Sequence, residues 1–280
     1  MKKTPTDVLF MWQRPGKPQK PLGYEWKRQG RWKGAQCLTP LVGSKGEWTE
    51  YVPHAGVFRT FASLNIATEV TRQWEIGAFA KSYGDIIGRP QDKHATLETW
   101  CRAIQQMRRA VELWDWIDAP DRHEELKRLF TRPKGHILYW QTHHPLERKD
   151  GNTTCPVMVR GESVAAYPVG DVIPLARKAL QYEIQCAFTD TETPSHTTPC
   201  VVTPEMRLVL RPVNLLAHMW LCFARVVSGE IEERPCEMFE SCHEYIYVGR
   251  GPGLQRNDTT TCSDACRQNK KRQDAKKLAR

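Results

Sequence analysis

Two short segments near the carboxyl end carry the clearest structural signal in this 280-residue chain: Cys236-Glu237-Met238-Phe239-Glu240-Ser241-Cys242 and, nineteen residues on, Cys262-Ser263-Asp264-Ala265-Cys266-Arg267. Four thiols in two close pairs are the donor set of a structural zinc site, which needs four ligands in a tetrahedron. Ser263 is a good helix N-cap, so Cys262 precedes a helix and Cys266 lies in its first turn, with both sulfurs on one side. The positive end of the helix dipole favours thiolates there. Between the pairs, Tyr245-Ile246-Tyr247-Val248 reads as a strand and Gly249–Gly253 as a turn. The five-residue gap between Cys236 and Cys242 is wider than the roughly two to four residues usual in such sites. Two alternatives stay open: four unrelated buried cysteines, or His243 in place of one thiol.

Working outward, the residues after Cys266 hold Arg267, Lys270, Lys271, Arg272, Lys276, Lys277 and Arg280 against Asp274 alone. A helix there has almost no apolar stripe, so burial cannot hold it; its order must come from the metal end or from a partner. The net charge of +9 is concentrated at the two ends: residues 1–34 carry nine Lys and Arg against two acids, whereas residues 35–266 carry 25 basic and 29 acidic side chains. A polyanion is the natural partner of such ends, because Lys and Arg gain affinity by releasing phosphate counterions. Nucleic acid is therefore expected, DNA ahead of RNA, with Arg250, Arg256, Arg267, Lys270, Lys271, Arg272, Lys276 and Lys277 as the contacts. Arg250, Arg256 and Arg267 also lie close enough in sequence to offset the negative charge of four thiolates. A solvated tail is the plainer reading of the same charges.

The rest of the chain reads as an α+β fold dominated by helices, divided into a basic, aromatic-rich segment (1–55), a mainly helical body (56–229) and the zinc finger with its basic helix (230–280). Leu97, Trp100, Ile104, Met107, Val111, Trp114 and Ile117 recur at spacings of three and four, one apolar stripe, with Arg102, Gln105, Arg108 and Glu112 facing away. Helices are expected over 67–84, 122–130, 172–187 and 214–228. Strands are expected over 136–140, 156–160 and 205–211, with 162–169 pairing back across Gly161 and a loop over 189–198. Gly23–Lys33 alternates aromatic and basic residues across Gly30 like a short hairpin. Trp12, Trp26, Trp32 and Trp48 either stack nucleobases or, more commonly, pack onto the body.

Thr261-Cys262-Ser263-Asp264-Ala265-Cys266-Arg267 resembles the closing motif of treble-clef-like zinc fingers related to the CGNR group. Val57–Ala62 and Leu215–Leu221 are similar to stretches of an uncharacterised bacterial family that ends in such a finger. The resemblance implies a zinc-stabilised nucleic-acid-binding regulator with Cys236, Cys242, Cys262 and Cys266 as ligands.

An enzyme is not expected. A four-cysteine site is closed, whereas catalytic zinc keeps an open position. Neither Pro199-Cys200 nor Pro235-Cys236 extends to the deaminase signature, and His123-Glu124-Glu125 lacks the second histidine of a zinc protease helix. His143-His144 fits an exposed loop, and Cys101 and Cys222 lie on apolar helical stretches. No export signal or membrane span is evident, so the expected location is cytoplasmic and no membrane partner is implied. The competing functional reading is a protein-interaction module whose zinc finger is purely structural.

Overall fold

The computed structural model describes residues 12–17, 20–21, 23–28, 35–41, 48–87, 95–131, 138–142, 154–158, 172–189, 200–202, 208–210, 212–249 and 254–278. Helix α3 (Leu97–Ile117) is the axis of the body. The Thr96 side chain caps it, accepting from the Thr99 N–H at 3.1 Å. Trp100, Ile104, Met107, Val111 and Ile117 are buried, as their spacing requires. Burial extends beyond that stripe because α1 (Val57–Ala62), α4 (His123–Leu129), α5 (Ile173–Thr189) and α6 (Leu215–Val227) all contact this helix. Two outward assignments are corrected as a result. Gln105 is buried, and Arg108 is half-buried. The Arg108 guanidinium donates to the carbonyl of Ala62, at 2.8 Å, and to that of Leu64. Those are carbonyls left over at the end of α1, and a cation from α3 satisfies them. Arg102 and Glu112 do face solvent.

Helix α2 (Glu69–Tyr83) opens on a capping box between Thr68 and Thr71 and stops at Gly84, whose φ is +85°. A Cβ at Gly84 would stand 2.5 Å from the Gln13 carbonyl oxygen, so only glycine fits. Beside α2 lie β1 (Trp12–Lys17), flanked by β2 (Lys20–Pro21) and β5 (Trp48–Tyr51), and the hairpin of β3 (Tyr24–Arg28) with β4 (Gln36–Pro40). The expected hairpin exists, but its return strand is Gln36–Pro40; Arg31–Lys33 lie outside the described residues. The reason is apolar content: β4 buries Cys37 and Leu38, which an Arg-Trp-Lys strand could not match. Trp12 and Trp26 pack onto the body, donating to the carbonyls of Asp85 at 3.0 Å and Gln73 at 3.1 Å.

Strands β6 (Phe130–Thr131), β7 (Leu138–Thr142) and β8 (Thr154–Met158) form an antiparallel sheet, and β9 (Cys200–Val202) pairs with β10 (Leu208–Leu210). The strand expected over 162–169, the loop beyond Thr189 and His143-His144 lie outside the described residues. The chain finishes with β11 (Glu232–Pro235), α7 (Phe239–Cys242), β12 (Tyr245–Val248) and α8 (Asp264–Leu278). Helices with small antiparallel strand pairs make the architecture α+β, as the sequence indicates. No helix among the described residues is long and apolar enough to cross a membrane.

The β11–β12 hairpin is seated on the body. Ile231 and Tyr247 belong to the main core, and Tyr247 lies over Gly56, where an added Cβ would come within 2.1 Å of its ring. Gly56→Ala should therefore lower stability by about 1–3 kcal/mol through overpacking, read by chemical denaturation. His218 on α6 gives a pH signature. Burial pushes its pKa down to about 4, and the charges of His54 and Arg225 add to that. The ring stays neutral in the fold but titrates near its ordinary value of about 6.5 when unfolded. Its contribution is complete above that value and lost as pH falls toward 4, about 3 kcal/mol in all. His218→Gln should flatten the acid limb of the stability profile over that window.

Candidate metal centre and the basic helix it anchors

The metal centre is built from three elements that the hairpin brings to one corner. Cys236 follows β11, Cys242 closes α7, and Cys262 and Cys266 bracket the start of α8. The four sulfurs lie within 4.8 Å of one another, a group that could hold a metal ion. Cys262 Sγ is 3.4 Å from Cys266 Sγ and 3.9 Å from Cys242 Sγ. Thiolates around one tetrahedral dication, with metal–sulfur bonds of about 2.3 Å, sit about 3.8 Å apart. The donor set therefore fits a metal in both number and size.

Local backbone explains how the sulfurs converge. His243 adopts a left-handed conformation, φ 54°, turning the chain from α7 into β12. That turn lets the five-residue gap close: α7 takes up one helical turn, and Cys236 N–H still bonds the Glu244 carbonyl at 3.0 Å. His243 itself is exposed and packs edge-on against Phe239, and it is not part of the cluster. Cys236 Sγ accepts from the N–H groups of Met238 and Cys262, both at 3.4 Å, so one sulfur ties the two pairs together. Ser263 Oγ accepts from Cys266 N–H at 3.3 Å, the expected N-cap. Hydrogen bonds from Ser263 and Cys262 hold the Cys266 thiol below its usual range, whereas burial pushes Cys262 up to about 12. A metal entering this site must displace protons.

The basic side chains divide into two sets. Arg267 pairs with Asp264 at 2.6 Å, and Lys270 pairs with Glu237, binding α8 to the first cysteine segment. Arg256, Lys271, Arg272 and Lys276 are exposed. The side chain of Lys277 and the whole of Arg250 lie outside the described residues. Cys101 and Cys222 are buried away from the centre, and burial pushes the Cys222 thiol to about 12, the opposite of an activated nucleophile.

One functional residue was invisible in the sequence. Arg59 on α1 donates to both oxygens of Asp115 on α3, at 2.7 and 3.0 Å, and to both of Glu233 on β11, at 2.5 and 2.6 Å. Its guanidinium also lies 4.4 Å from the Tyr245 ring centroid. The partners stand 56 and 174 residues away, so no local pattern announces them. Arg234 similarly grips the loop before Cys262, donating to the Asn257 and Thr259 carbonyls at 2.6 and 2.9 Å. Between the cysteine cluster and helices α1 and α3 lies a cleft of about 900 Å³, walled by Thr60, Glu112 and Gln255 together with Cys242, Cys262 and Cys266.

No protein-family model, curated protein or solved structure matches the chain. Cys262→Ser should abolish stoichiometric metal binding and unfold the carboxyl-terminal unit, measured by elemental analysis and circular dichroism. Cys101→Ser should leave metal content unchanged. Full retention of metal in the Cys262 variant would overturn the ligand assignment.

Proposed function

We propose that this chain is a zinc-finger nucleic-acid-binding protein acting as a regulator, with DNA as the preferred partner. Zinc is the metal that best suits four thiolates in a closed tetrahedron, where it supplies folding energy and leaves no open position for chemistry. The reading therefore assigns no catalytic step. Cys236, Cys242, Cys262 and Cys266 hold the ion, and α8 carries the phosphate contacts.

One observation carries the proposal. Helix α8 is fixed at its amino end by the cysteine cluster and the Lys270–Glu237 pair, yet presents Lys271, Arg272 and Lys276 to solvent, with Arg256 exposed nearby in sequence. A helix without an apolar face gains little from packing on its own protein, and its free cations suit a polyanion. Lys270 is engaged with Glu237 of the first cysteine segment, whereas the Arg267–Asp264 pair lies within α8 on its exposed surface.

Four exposed cations set the expected salt response. Affinity for a generic duplex should fall roughly 150-fold between about 50 and 200 mM salt, the slope for four neutralised phosphates. Lys271→Ala and Arg272→Ala should each reduce that slope by about one. Deletion of residues 267–280 removes three of the four and should cut the salt slope to about one. Binding that is absent at low salt, or insensitive to salt and to the deletion, would favour a protein-interaction module in its place.

A further inference from the structure

Helix α2 shows solvent a face that does not suit water. A surface helix normally turns polar side chains outward, but here Val70 is 79% exposed and Trp74 69% exposed. Ala78, one turn beyond Trp74, is exposed as well. Gly77 sits mid-helix, one turn from Trp74, and a Cβ placed on it would meet nothing within 4 Å. Glycine there costs about 1 kcal/mol relative to alanine, and nothing within the described residues requires it. A bare patch of backbone beside an exposed indole has a use only when another surface lies against it.

We propose that this surface is a twofold interface in which α2 packs antiparallel against α2 of a second copy of this chain. The occupant follows from the pattern. Positions 70, 74, 77 and 81 are spaced four, three and four, so the stripe reads the same in both directions. Antiparallel pairing sets Trp74 of each copy over Gly77 of the other, and Val70 against the stem of Lys81. Knob and hole thus occur on one surface, which an isologous contact demands. Charge agrees: the acid of the first turn, Glu69, approaches the base of the last, Lys81, and the two helix dipoles oppose each other. A helix of this length is about 22 Å long, and one such pair buries roughly 1,000 Å² in total, the low end for a specific interface, so the association belongs in the micromolar range.

Sedimentation of the zinc-loaded full chain across roughly 1–100 μM tests this. The wild type should pass from monomer to dimer over that range, and Trp74→Glu should weaken association at least tenfold. Gly77→Leu should also weaken it at least tenfold while leaving the monomer as thermally stable as the wild type or more so, because leucine favours helix and a Cβ at this position meets nothing within 4 Å. That opposition separates an interface role from a structural one. If Trp74→Glu fails to fold, judged by circular dichroism, Gly77→Leu and Lys81→Glu decide. A wild type that stays monomeric at the highest concentration, or a dimer indifferent to these substitutions, would overturn the proposal.

Discussion

The Arg59 guanidinium holds the two halves of this molecule in one arrangement. Its planar fork meets Asp115 from the body and Glu233 from the β11–β12 hairpin, while the Tyr245 ring covers its face. Two carboxylates compensate one cation with both prongs engaged, and the Glu233 side chain is only 7% exposed. Removing the arginine would leave a buried carboxylate without its partner, which is why such a contact discriminates strongly between the docked and undocked hairpin. Lysine could not replace it, having one point of charge where two flat bidentate contacts are required.

From that contact the orientation of the carboxyl end follows in order. Docking fixes β11 and β12, and Tyr247 over Gly56 fixes their depth. The hairpin then presents Cys236 and Cys242, and the cluster captures Cys262 and Cys266 at the root of α8. A small second core of Met238, Ile246 and Val248 fills the space behind the sulfurs. It is too small to persist by burial alone, so attachment to the body, and a metal where the sulfurs hold one, must share the work.

Features governed by local spacing were legible from the sequence. The α3 stripe, the Ser263 cap and the α6 boundaries depend on residues a few positions apart, where periodicity and capping chemistry speak directly, and the two close cysteine pairs announced a shared site although their convergence spans 26 residues. Gln105 and Arg108 misled because polar identity was read as exposure; on a helix surrounded by neighbours, an amide can be enclosed and a guanidinium can serve carbonyls of another helix. The return strand of the amino-terminal hairpin misled because aromatic-basic alternation in Arg31-Trp32-Lys33 looked more regular than Gln36–Pro40. Arg59 gave no signal at all, since its meaning lies in two acids far along the chain.

The cleft beside the cysteine cluster gives the four sulfurs unequal access. Cys242, Cys262 and Cys266 border it, whereas Cys236 is 2% exposed and is held by two amide donors. An ion held by the cluster would therefore meet a competing chelator on the side of Cys242, Cys262 and Cys266, with Cys236 on the shielded side.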